Sequence, residues 1–371
     1  MARRILLMHI SNISGHKEAS SAIEQAIKSI SPTAETLSIN IFDYVGKTTS
    51  KIVTKIYLKA IKNTPAIWGF LYDNKRIING TKKIKEYVYS RSYRRVRRLI
   101  EGFKPDVVVA TQAFPCGVCA EYKRRFRDKF KLVAVMTDYA PHAYWFENEV
   151  NYYVVGSEEL KCDLIKKGIA ENNIKVFGIP IDSKFKNIIN ASVVFEKLQL
   201  DRNLPVILIM GGGQGIGPIK KIIKSLKGIH LNLQIILVCG TNKKLEIQAQ
   251  RLKKKHRNKI IIFGFTRNID ELMSVATLII TKPGGLTTSE ALAKQVPLII
   301  VSPIPGQEIF NTNYLVKKGV AIYVERINAI NTVVENLLND KDRLENMRKN
   351  ALCISKPNAS VDIASFTLGL C

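Results

Sequence analysis

The chain has 371 residues, 46% of them hydrophobic and 24% charged, which excludes a disordered or collagen-like protein. Its length suits two domains of ordinary size, each able to bury its own core. The formal net charge of +26 predicts an anionic partner, either a lipid surface or a nucleic acid.

The first apolar run, ILLMHI at 5–10, is too short for a signal peptide and is predicted to be a β-strand. No stretch reaches the roughly 18 apolar residues that a membrane-spanning helix needs, so we expect any membrane contact to be peripheral. Six cysteines without a secretory signal indicate reduced thiols in the cytoplasm. Cys116 and Cys119 lack a second pair of ligands, so we interpret them as helix packing and expect no metal.

Short runs of Val, Ile and Leu alternate with amphipathic helical segments along the whole chain. Such runs predict parallel strands covered by helices on both faces, hence an α/β fold. The pattern restarts at VILIM (206–210), after a stretch of weak strand character. We therefore predict an N-terminal domain over 1–180, a linker over 181–204, a C-terminal domain over 205–350, and a tail over 351–371 that packs back on the N-terminal domain.

Two loops in the N-terminal half carry candidate chemistry. SNISGHKEAS (11–20) places Gly15 and His16 at the turn into a helix, where a histidine can take a proton from a hydroxyl; a capping or surface role is the alternative. TDYAPHAYW (137–145) carries Asp138, His142 and Trp145 after a later strand. Asp138 is a candidate to orient His16 or to shape an acceptor site, with helix capping as the competing explanation.

Positive charge is concentrated between residues 47 and 98, a stretch that contains 15 Lys or Arg residues and only two acidic residues. KIVTKIYLKAIK (51–62) has its lysines on one helical face and its apolar residues on the other. Aromatic and basic residues follow it, which predicts contact with anionic lipid; an ordinary core-packed helix is the alternative. No nucleic-acid-binding motif accompanies the charge, which disfavours that partner. The residues assigned to this contact are Lys55, Lys59, Trp68, Phe70, Arg94 and Arg95.

Three loops follow strands in the C-terminal half. The glycines of GGGQGIG (211–217) predict a diphosphate cradle, with tight packing as the alternative. In TKPGGLTTSEA (281–291), residues 287–289 are predicted to cap the next helix. Glu290, placed in its first turn, is predicted either to bind ribose hydroxyls or to act as a capping carboxylate. SPIPGQEIFN (302–311) offers amide and carboxylate groups for a hexose, or else is a solvated polar loop.

Taken together, SxxxGHxxAxxAI, TDYxPHxxW, GIPI, the GGG loop, GFTRNIDELM, TKPGGLTTSEAL and PIPGQExxN resemble the monogalactosyldiacylglycerol synthase and processive diacylglycerol glucosyltransferase family over nearly the whole chain. The resemblance implies a GT-B fold, with two Rossmann-like doubly wound domains facing a central cleft. It implies that the N-terminal domain binds diacylglycerol and the inner face of the cell membrane, and that the C-terminal domain binds a UDP-hexose. The implied reaction is an inverting transfer of glucose or galactose without a metal or another cofactor.

The resemblance also assigns roles to residues. His16 becomes the general base; Asp138 stays a catalytic candidate beside it, and His142 and Trp145 are candidates for the acceptor site. Relatives usually carry a further glycine in the first loop, GxGH, where this chain has Ile13. The residues assigned to the UDP-sugar are Gly15, Gly212, Gly213, Gly215, Phe265, Lys282, Gly284, Gly285, Thr287, Glu290, Gln307, Glu308 and Asn311.

Two other enzyme classes share this architecture and stay open as alternatives. One is a UDP-N-acetylglucosamine-dependent transferase that acts on another lipid acceptor. The peptidoglycan enzyme of that class typically has a GGTGGH-like loop, which this chain lacks. The other is a UDP-sugar epimerase, in which the basic segment would have no role. The residues do not distinguish glucose from galactose, and they leave processivity and the oligomeric state undetermined.

Overall fold

The computed structural model describes residues 3–11, 13–45, 89 and 92–371. The chain divides into two compact units. The first comprises Met1–Ser183, Ile304–Phe310 and Lys356–Cys371, and the second comprises Lys184–Pro303 and Asn311–Ser355. Of the residues predicted to contact membrane, Lys55, Lys59, Trp68 and Phe70 lie outside the described residues.

Among its described residues, the first unit contains a six-stranded parallel sheet with strand order β2-β1-β3-β4-β5-β6. The strands are β1 (Arg4–His9), β2 (Glu35–Asn40), β3 (Val107–Ala110), β4 (Lys131–Val135), β5 (Tyr152–Val154) and β6 (Ile174–Lys175). Its α-helices include Gly15–Ile30, Ile41–Val45, 92–103, Ala113–Phe126, Glu158–Lys166 and Ala359–Leu368.

Continuous apolar runs form this sheet because both of its faces are covered by helices. Ile5 and Leu7 pack on one face with Ile23 and Ile27 of helix Gly15–Ile30, spaced one turn apart, and with Ile363 of the C-terminal helix. All five side chains are fully buried, and each such burial contributes about 1.5–3 kcal/mol of hydrophobic stabilisation. The C-terminal residues 356–371 are thereby part of the first unit.

The second unit has a parallel sheet with strand order β12-β11-β10-β7-β8-β9. Its strands are β7 (Val206–Met210), β8 (Gln234–Val238), β9 (Lys259–Phe263), β10 (Leu278–Thr281), β11 (Leu298–Val301) and β12 (Ala321–Val324). Helices of this half of the chain include Ala191–Lys197, Ile219–Leu226, Lys243–Lys253, Ile269–Ser274, Gly285–Ala293, Gln307–Lys317, Ile330–Asn339 and Lys341–Ile354.

The two parallel sheets, each covered by helices, confirm the α/β prediction. The helices cover the sheets with one apolar side each, as in Ile219–Leu226, where Ile219, Ile222, Ile223 and Leu226 are buried and the lysines between them are exposed. Among the residues that the structure describes, no helix is both long and apolar enough to cross a membrane.

Candidate active site

In each sheet, candidate loops follow strands at which the strand order reverses: loop 11–20 follows β1, loop 211–217 follows β7 and loop 281–291 follows β10. From β1 the chain proceeds to β2 on one side and later to β3 on the other; from β7 it proceeds to β8 on one side and later to β10 on the other. In parallel sheets such switch points open a crevice at the carboxyl ends of the two diverging strands, and ligands bind there. Each unit therefore has a candidate site at this position.

In the first unit, His16 lies in the first turn of helix Gly15–Ile30, directly after the loop that follows β1. Ser14 caps the helix: its hydroxyl accepts a hydrogen bond from the Lys17 amide (3.3 Å) and donates one to the Ile10 carbonyl (2.8 Å). Among the described residues of this loop, Ser11 alone has a left-handed backbone conformation (φ 60°). The backbone at Ile13 is not left-handed, so a side chain at that position causes no such strain. The loop thus places His16 without the further glycine.

The ring of His16 is held by two residues that follow neighbouring strands. Its Nδ1 lies 2.9 Å from the carbonyl oxygen of Thr111, after β3, and 3.1 Å from the hydroxyl of Thr137, after β4. A carbonyl oxygen only accepts, so Nδ1 carries the proton and the neutral ring keeps its lone pair on Nε2. The side-chain hydroxyl of Thr111 also donates to the backbone carbonyl of His16 (2.8 Å). His16 is therefore oriented as a base through Nε2.

The protonation state of His16 fits that orientation. Its pKa is lowered from 6.5 to about 4, chiefly by burial, with a raising contribution from the Thr111 carbonyl and a smaller lowering contribution from nearby His9. The ring is consequently neutral at physiological pH and able to accept a proton. Sequence reasoning found His16 but missed Thr111 and Thr137. Their position directly after strand ends is the signal that would have found them.

Asp138 follows Thr137 and is half-buried. Its Oδ2 accepts a hydrogen bond from the side-chain amide of Gln307 (3.1 Å), and both residues belong to the first unit. Asp138 therefore directly follows Thr137, which contacts His16. The partners of the His16 Nδ1 atom are the Thr111 carbonyl and the Thr137 hydroxyl. The structure assigns the orientation of His16 to the two threonines and brings Asp138 together with Gln307.

The residues predicted for the acceptor have different surroundings. His142 is buried with its ring 5.7 Å from that of Trp145, which is only 3% exposed within the main core of the unit. Trp145 therefore supports His142 from the core, because so large an apolar ring is stabilised by burial. Arg94 and Arg95 are exposed on the helical segment 92–103, while Tyr93 and Val96 on its opposite side are buried.

Cys116 and Cys119 are both buried in helix Ala113–Phe126, and burial raises the pKa of the Cys119 thiol to about 12. The side chain of Cys119 lies 3.2 Å from the Met8 sulfur, which is a packing contact. Over the described ranges there is no cluster of three or more His, Cys, Asp or Glu residues able to hold a metal ion.

In the second unit, β7 and β10 are hydrogen-bonded neighbours, with Met210 opposite Thr281. The loop 211–217 follows β7, and Lys282 follows β10, so the two loops lie side by side. A methyl group built on Gly212 would lie 3.9 Å from Cε of Lys282, which places that lysine over the glycine loop. Lysine beside a glycine-rich turn is a favourable arrangement for a phosphate group.

The glycines of the first loop have a packing role that sequence reasoning gave only as an alternative. Gly215 has φ 58°, and a side chain there would lie 2.0 Å from the Cys239 carbonyl. Gly240 likewise approaches the Gly213 carbonyl, at 2.3 Å for an added Cβ. Two turns thus pack backbone against backbone, which only glycine permits. The loop shape that would receive a phosphate depends on this packing.

The second loop leads into a helix whose N-terminus has no side-chain cap. Helix Gly285–Ala293 begins after Gly284, which adopts an extended conformation and has open space where a side chain would stand. Amide groups at such a terminus are donors with a positive dipole end, suited to an anion. The prediction that residues 287–289 cap this helix is wrong, because all three lie inside it. Thr288 and Ser289 instead donate back to the carbonyls of Gly284 and Gly285.

The early helix start also moves Glu290, which is the sixth helical residue and lies in the second turn rather than the first. The capping-carboxylate alternative is therefore wrong, since only the first turn has unpaired amides. Glu290 and Thr287 are both half-buried. Phe265, which follows β9, is 55% exposed. An aromatic ring that exposed is unusual for a packing role and suits stacking with a planar ligand.

The last candidate segment, 302–311, is predicted from its sequence to be a loop throughout, but it is a loop only as far as Gly306. Gln307 begins helix Gln307–Lys317, so Gln307, Glu308 and Asn311 are helical residues. Glu308 accepts a hydrogen bond from the backbone amide of Ile304 at 2.8 Å, within the first unit. Asn311 is fully buried and donates to the Pro283 carbonyl at 3.0 Å, within the second unit. Asn311 therefore fixes the Pro-Gly-Gly turn, a role that its position in the sequence did not indicate. Its predicted contact with a sugar stays a prediction.

Comparison with known proteins gives consistent matches over both units. Residues 16–181 match the family model described as monogalactosyldiacylglycerol (MGDG) synthase, and residues 206–364 match the glycosyltransferase family 28 C-terminal domain. A processive diacylglycerol beta-glucosyltransferase of Bacillus cereus strain AH187 is 31% identical over 366 residues, which cover 98% of this chain and 92% of that protein.

Among solved structures, MurG of Acinetobacter baumannii has a TM-score of 0.65 at 14% identity, over 99% of both chains. The UDP-GlcNAc 2-epimerase of Neisseria meningitidis, solved with UDP-GlcNAc, has a TM-score of 0.61 at 15% identity, over 99% of this chain and 100% of that one. At these identities the likeness concerns the fold.

Two parallel α/β units with the family 28 match define a glycosyltransferase of the GT-B fold. Within that class, the chain belongs to the family of the monogalactosyldiacylglycerol synthases and processive diacylglycerol glucosyltransferases. The resemblance inferred from the sequence motifs is thereby confirmed.

Proposed function

We propose that this enzyme transfers a hexose from a UDP-hexose to the hydroxyl of diacylglycerol, with inversion at the anomeric carbon and without a metal ion. The names of its curated relatives support diacylglycerol as the acceptor. The UDP-GlcNAc bound to a protein of the same fold supports a UDP-sugar as the donor. Because the acceptor resides in a bilayer, the enzyme works at the inner surface of the cell membrane, with Arg94 and Arg95 among its basic contacts.

The observation that carries the proposal is the fixed tautomer of His16, with Nδ1 bonded to the Thr111 carbonyl and Nε2 able to accept a proton. Nε2 takes the proton of the acceptor hydroxyl while its oxygen attacks the anomeric carbon. The bond from that carbon to the diphosphate oxygen breaks, and UDP leaves with the electron pair. Attack from the side opposite the leaving group inverts the configuration.

The leaving UDP acquires negative charge, which the second unit is suited to stabilise. The uncapped amides at the start of helix Gly285–Ala293 and the ammonium group of Lys282 offer positive potential. The glycine loop contributes the backbone amides of Gly212 and Gly213, while the amide of Gly215 donates to the Gly212 carbonyl (3.0 Å) and holds the loop in shape. The exposed ring of Phe265 borders the uracil, and Glu290 accepts hydrogen bonds from the ribose hydroxyls.

Replacing Glu290 with glutamine is expected to weaken UDP binding by roughly tenfold to a hundredfold, because a charge-assisted hydrogen bond contributes about 1.5–3 kcal/mol. Calorimetric titration with UDP measures the effect. Glu325→Gln, which neutralises an exposed carboxylate of the second unit outside the predicted site, is the control and should keep the parental UDP affinity. Parental UDP affinity in Glu290→Gln would remove Glu290 from the ribose site.

The function itself is tested by incubating the enzyme with diacylglycerol vesicles and, separately, UDP-glucose, UDP-galactose and UDP-N-acetylglucosamine. We expect a glycolipid with one of the two hexoses and the β-anomer on analysis of the product. Transfer from UDP-N-acetylglucosamine alone would assign the enzyme to the alternative transferase class. Conversion of the UDP-sugar without any acceptor would identify an epimerase. Chelator should leave turnover unchanged.

A further inference from the structure

Positive charge in the second half of the chain is concentrated in a stretch that the proposed function does not use. Residues 219–259 contain 12 Lys or Arg and one acid, Glu246. The remainder of residues 181–371 contains 15 Lys or Arg and 13 acids. Almost all the excess charge of this half therefore lies in one stretch of the second unit, separate in sequence from the basic segment at 47–98.

The fold brings this charge onto one surface. The chain runs from β7 through helix Ile219–Leu226 to β8, and then through helix Lys243–Lys253 to β9, with the three strands side by side in that order. Successive right-handed crossovers in the same direction place both helices on the same face of the sheet. Their buried sides share one core, in which Ile222, Leu226, Leu245 and Ala249 pack together. Their exposed sides consequently point outward together.

We call this surface the second-unit basic face. It consists of the exposed side chains of Lys220, Lys221, Lys224, Lys227, Lys243, Lys244, Arg251, Lys253, Lys254 and Lys255. Lys243 pairs with Glu246 at 3.0 Å. In the part of the chain that the structure describes, the other nine are not paired with a carboxylate. So many uncompensated cations repel one another, and an anionic surface would relieve that repulsion.

An apolar side chain lies in the middle of the cations. Ile247 is 57% exposed, and of its four neighbours one helical turn away only Gln250 is uncharged; the others are Lys243, Lys244 and Arg251. An exposed isoleucine gains nothing from phosphate groups in a nucleic acid groove. It does gain from entering the apolar layer below lipid headgroups, where basic residues at its sides meet the phosphates. This combination favours a membrane over a nucleic acid.

We propose that the second unit binds the surface of an anionic membrane through the second-unit basic face, with Ile247 inserted at headgroup level. The biological role of this contact rests on the proposed function, because the acceptor is then a membrane lipid. The binding of the second unit to an anionic membrane is independent of the proposed function. Each lysine near an anionic membrane contributes about 1 kcal/mol, or about fivefold in affinity.

The test compares two triple variants of the full-length enzyme with a matched control. Lys220→Gln/Lys221→Gln/Lys224→Gln and Lys253→Gln/Lys254→Gln/Lys255→Gln each remove three charges from the face. Lys186→Gln/Lys317→Gln/Lys341→Gln removes three exposed charges elsewhere in the second unit. Binding is measured by sedimentation with vesicles of phosphatidylglycerol and phosphatidylcholine. Each face variant should bind these vesicles roughly tenfold more weakly or worse, whereas the control should keep the parental affinity.

A fluorescence measurement locates the contact. Ile247→Trp should show a blue-shifted emission on addition of phosphatidylglycerol vesicles, while Ile188→Trp, at a fully exposed position of the same unit, should not. Neither substitution disturbs a buried side chain, so folding is preserved.

Face variants that bind these vesicles as tightly as the control would overturn the proposal, as would an unshifted Ile247→Trp. A DNA fragment that loses affinity for the face variants while vesicles do not would assign the face to nucleic acid instead. Failure of the proposed function gives a different result. An enzyme that binds vesicles through this face but forms no glycolipid would contradict the assigned reaction and leave this inference standing.

Discussion

Replacing His16 with alanine is expected to lower kcat by about a thousandfold and to leave UDP affinity unchanged, since general base catalysis contributes about a hundredfold to ten-thousandfold. The reason is that Nε2 of the neutral ring is the proton acceptor, while the groups proposed to stabilise UDP, including Lys282 and Glu290, lie in the second unit. Turnover on diacylglycerol vesicles and calorimetric titration with UDP measure the two quantities. Unchanged turnover would remove His16 as the base.

Two control variants separate the base from its surroundings. His230→Ala removes an exposed histidine of the second unit and should leave kcat unchanged. Thr137→Val removes the hydroxyl at 3.1 Å from Nδ1 but leaves the Thr111 carbonyl, which holds the tautomer, so its kcat should fall far less than that of His16→Ala. A loss as large as in His16→Ala would show that the threonine hydroxyl, rather than the carbonyl, fixes the ring.

The pH dependence of kcat/KM gives the same base an independent signature. The neutral ring is the active form, and its pKa is lowered to about 4 by burial. Activity should therefore stay constant as the pH falls through 6.5, the ordinary pKa of a histidine, and decline only near pH 4. A decline that begins at the ordinary value would contradict the desolvated, carbonyl-bound state of the His16 ring.

The second large effect is expected from Gly215→Ala. The substitution forces a left-handed conformation on alanine and places its Cβ 2.0 Å from the Cys239 carbonyl, so the loop must move. We expect a loss of roughly 2–4 kcal/mol in the free energy of unfolding together with much weaker UDP binding, because the glycine loop loses its shape. Thermal unfolding and titration with UDP measure both.

Two other glycines show which part of that effect is specific. Gly228→Ala adds a methyl group at an ordinary 3.6 Å contact and should change neither stability nor UDP affinity. Gly284→Ala meets no neighbouring atom in the protein, and φ of −66° suits any residue, so stability should be retained. Its methyl group would nevertheless stand where we place the diphosphate, and UDP affinity should fall. Parental stability and affinity in Gly215→Ala would refute the packing role.

Local sequence signals predicted which strands and loops form the site, but they predicted less well where each helix of the site begins. The valine and isoleucine runs indicated buried parallel strands, because only strands covered on both faces remain apolar throughout. Loops at the strand ends therefore located the candidate residues. Helix starts were harder to predict, as helix Gly285–Ala293 shows. A run of threonine and serine resembled a cap, yet Gly284 begins the helix earlier and moves Glu290 into the second turn.

The sequence by itself determined the α/β class of both units and the family, because apolar strand runs and loop motifs are formed by residues that are neighbours in the sequence. The contacts of each motif were decided by the tertiary structure. The tautomer of His16 depends on Thr111 and Thr137, distant in sequence and adjacent only because β1, β3 and β4 pair in that order. The second-unit basic face likewise exists because two helices cross to the same side of one sheet.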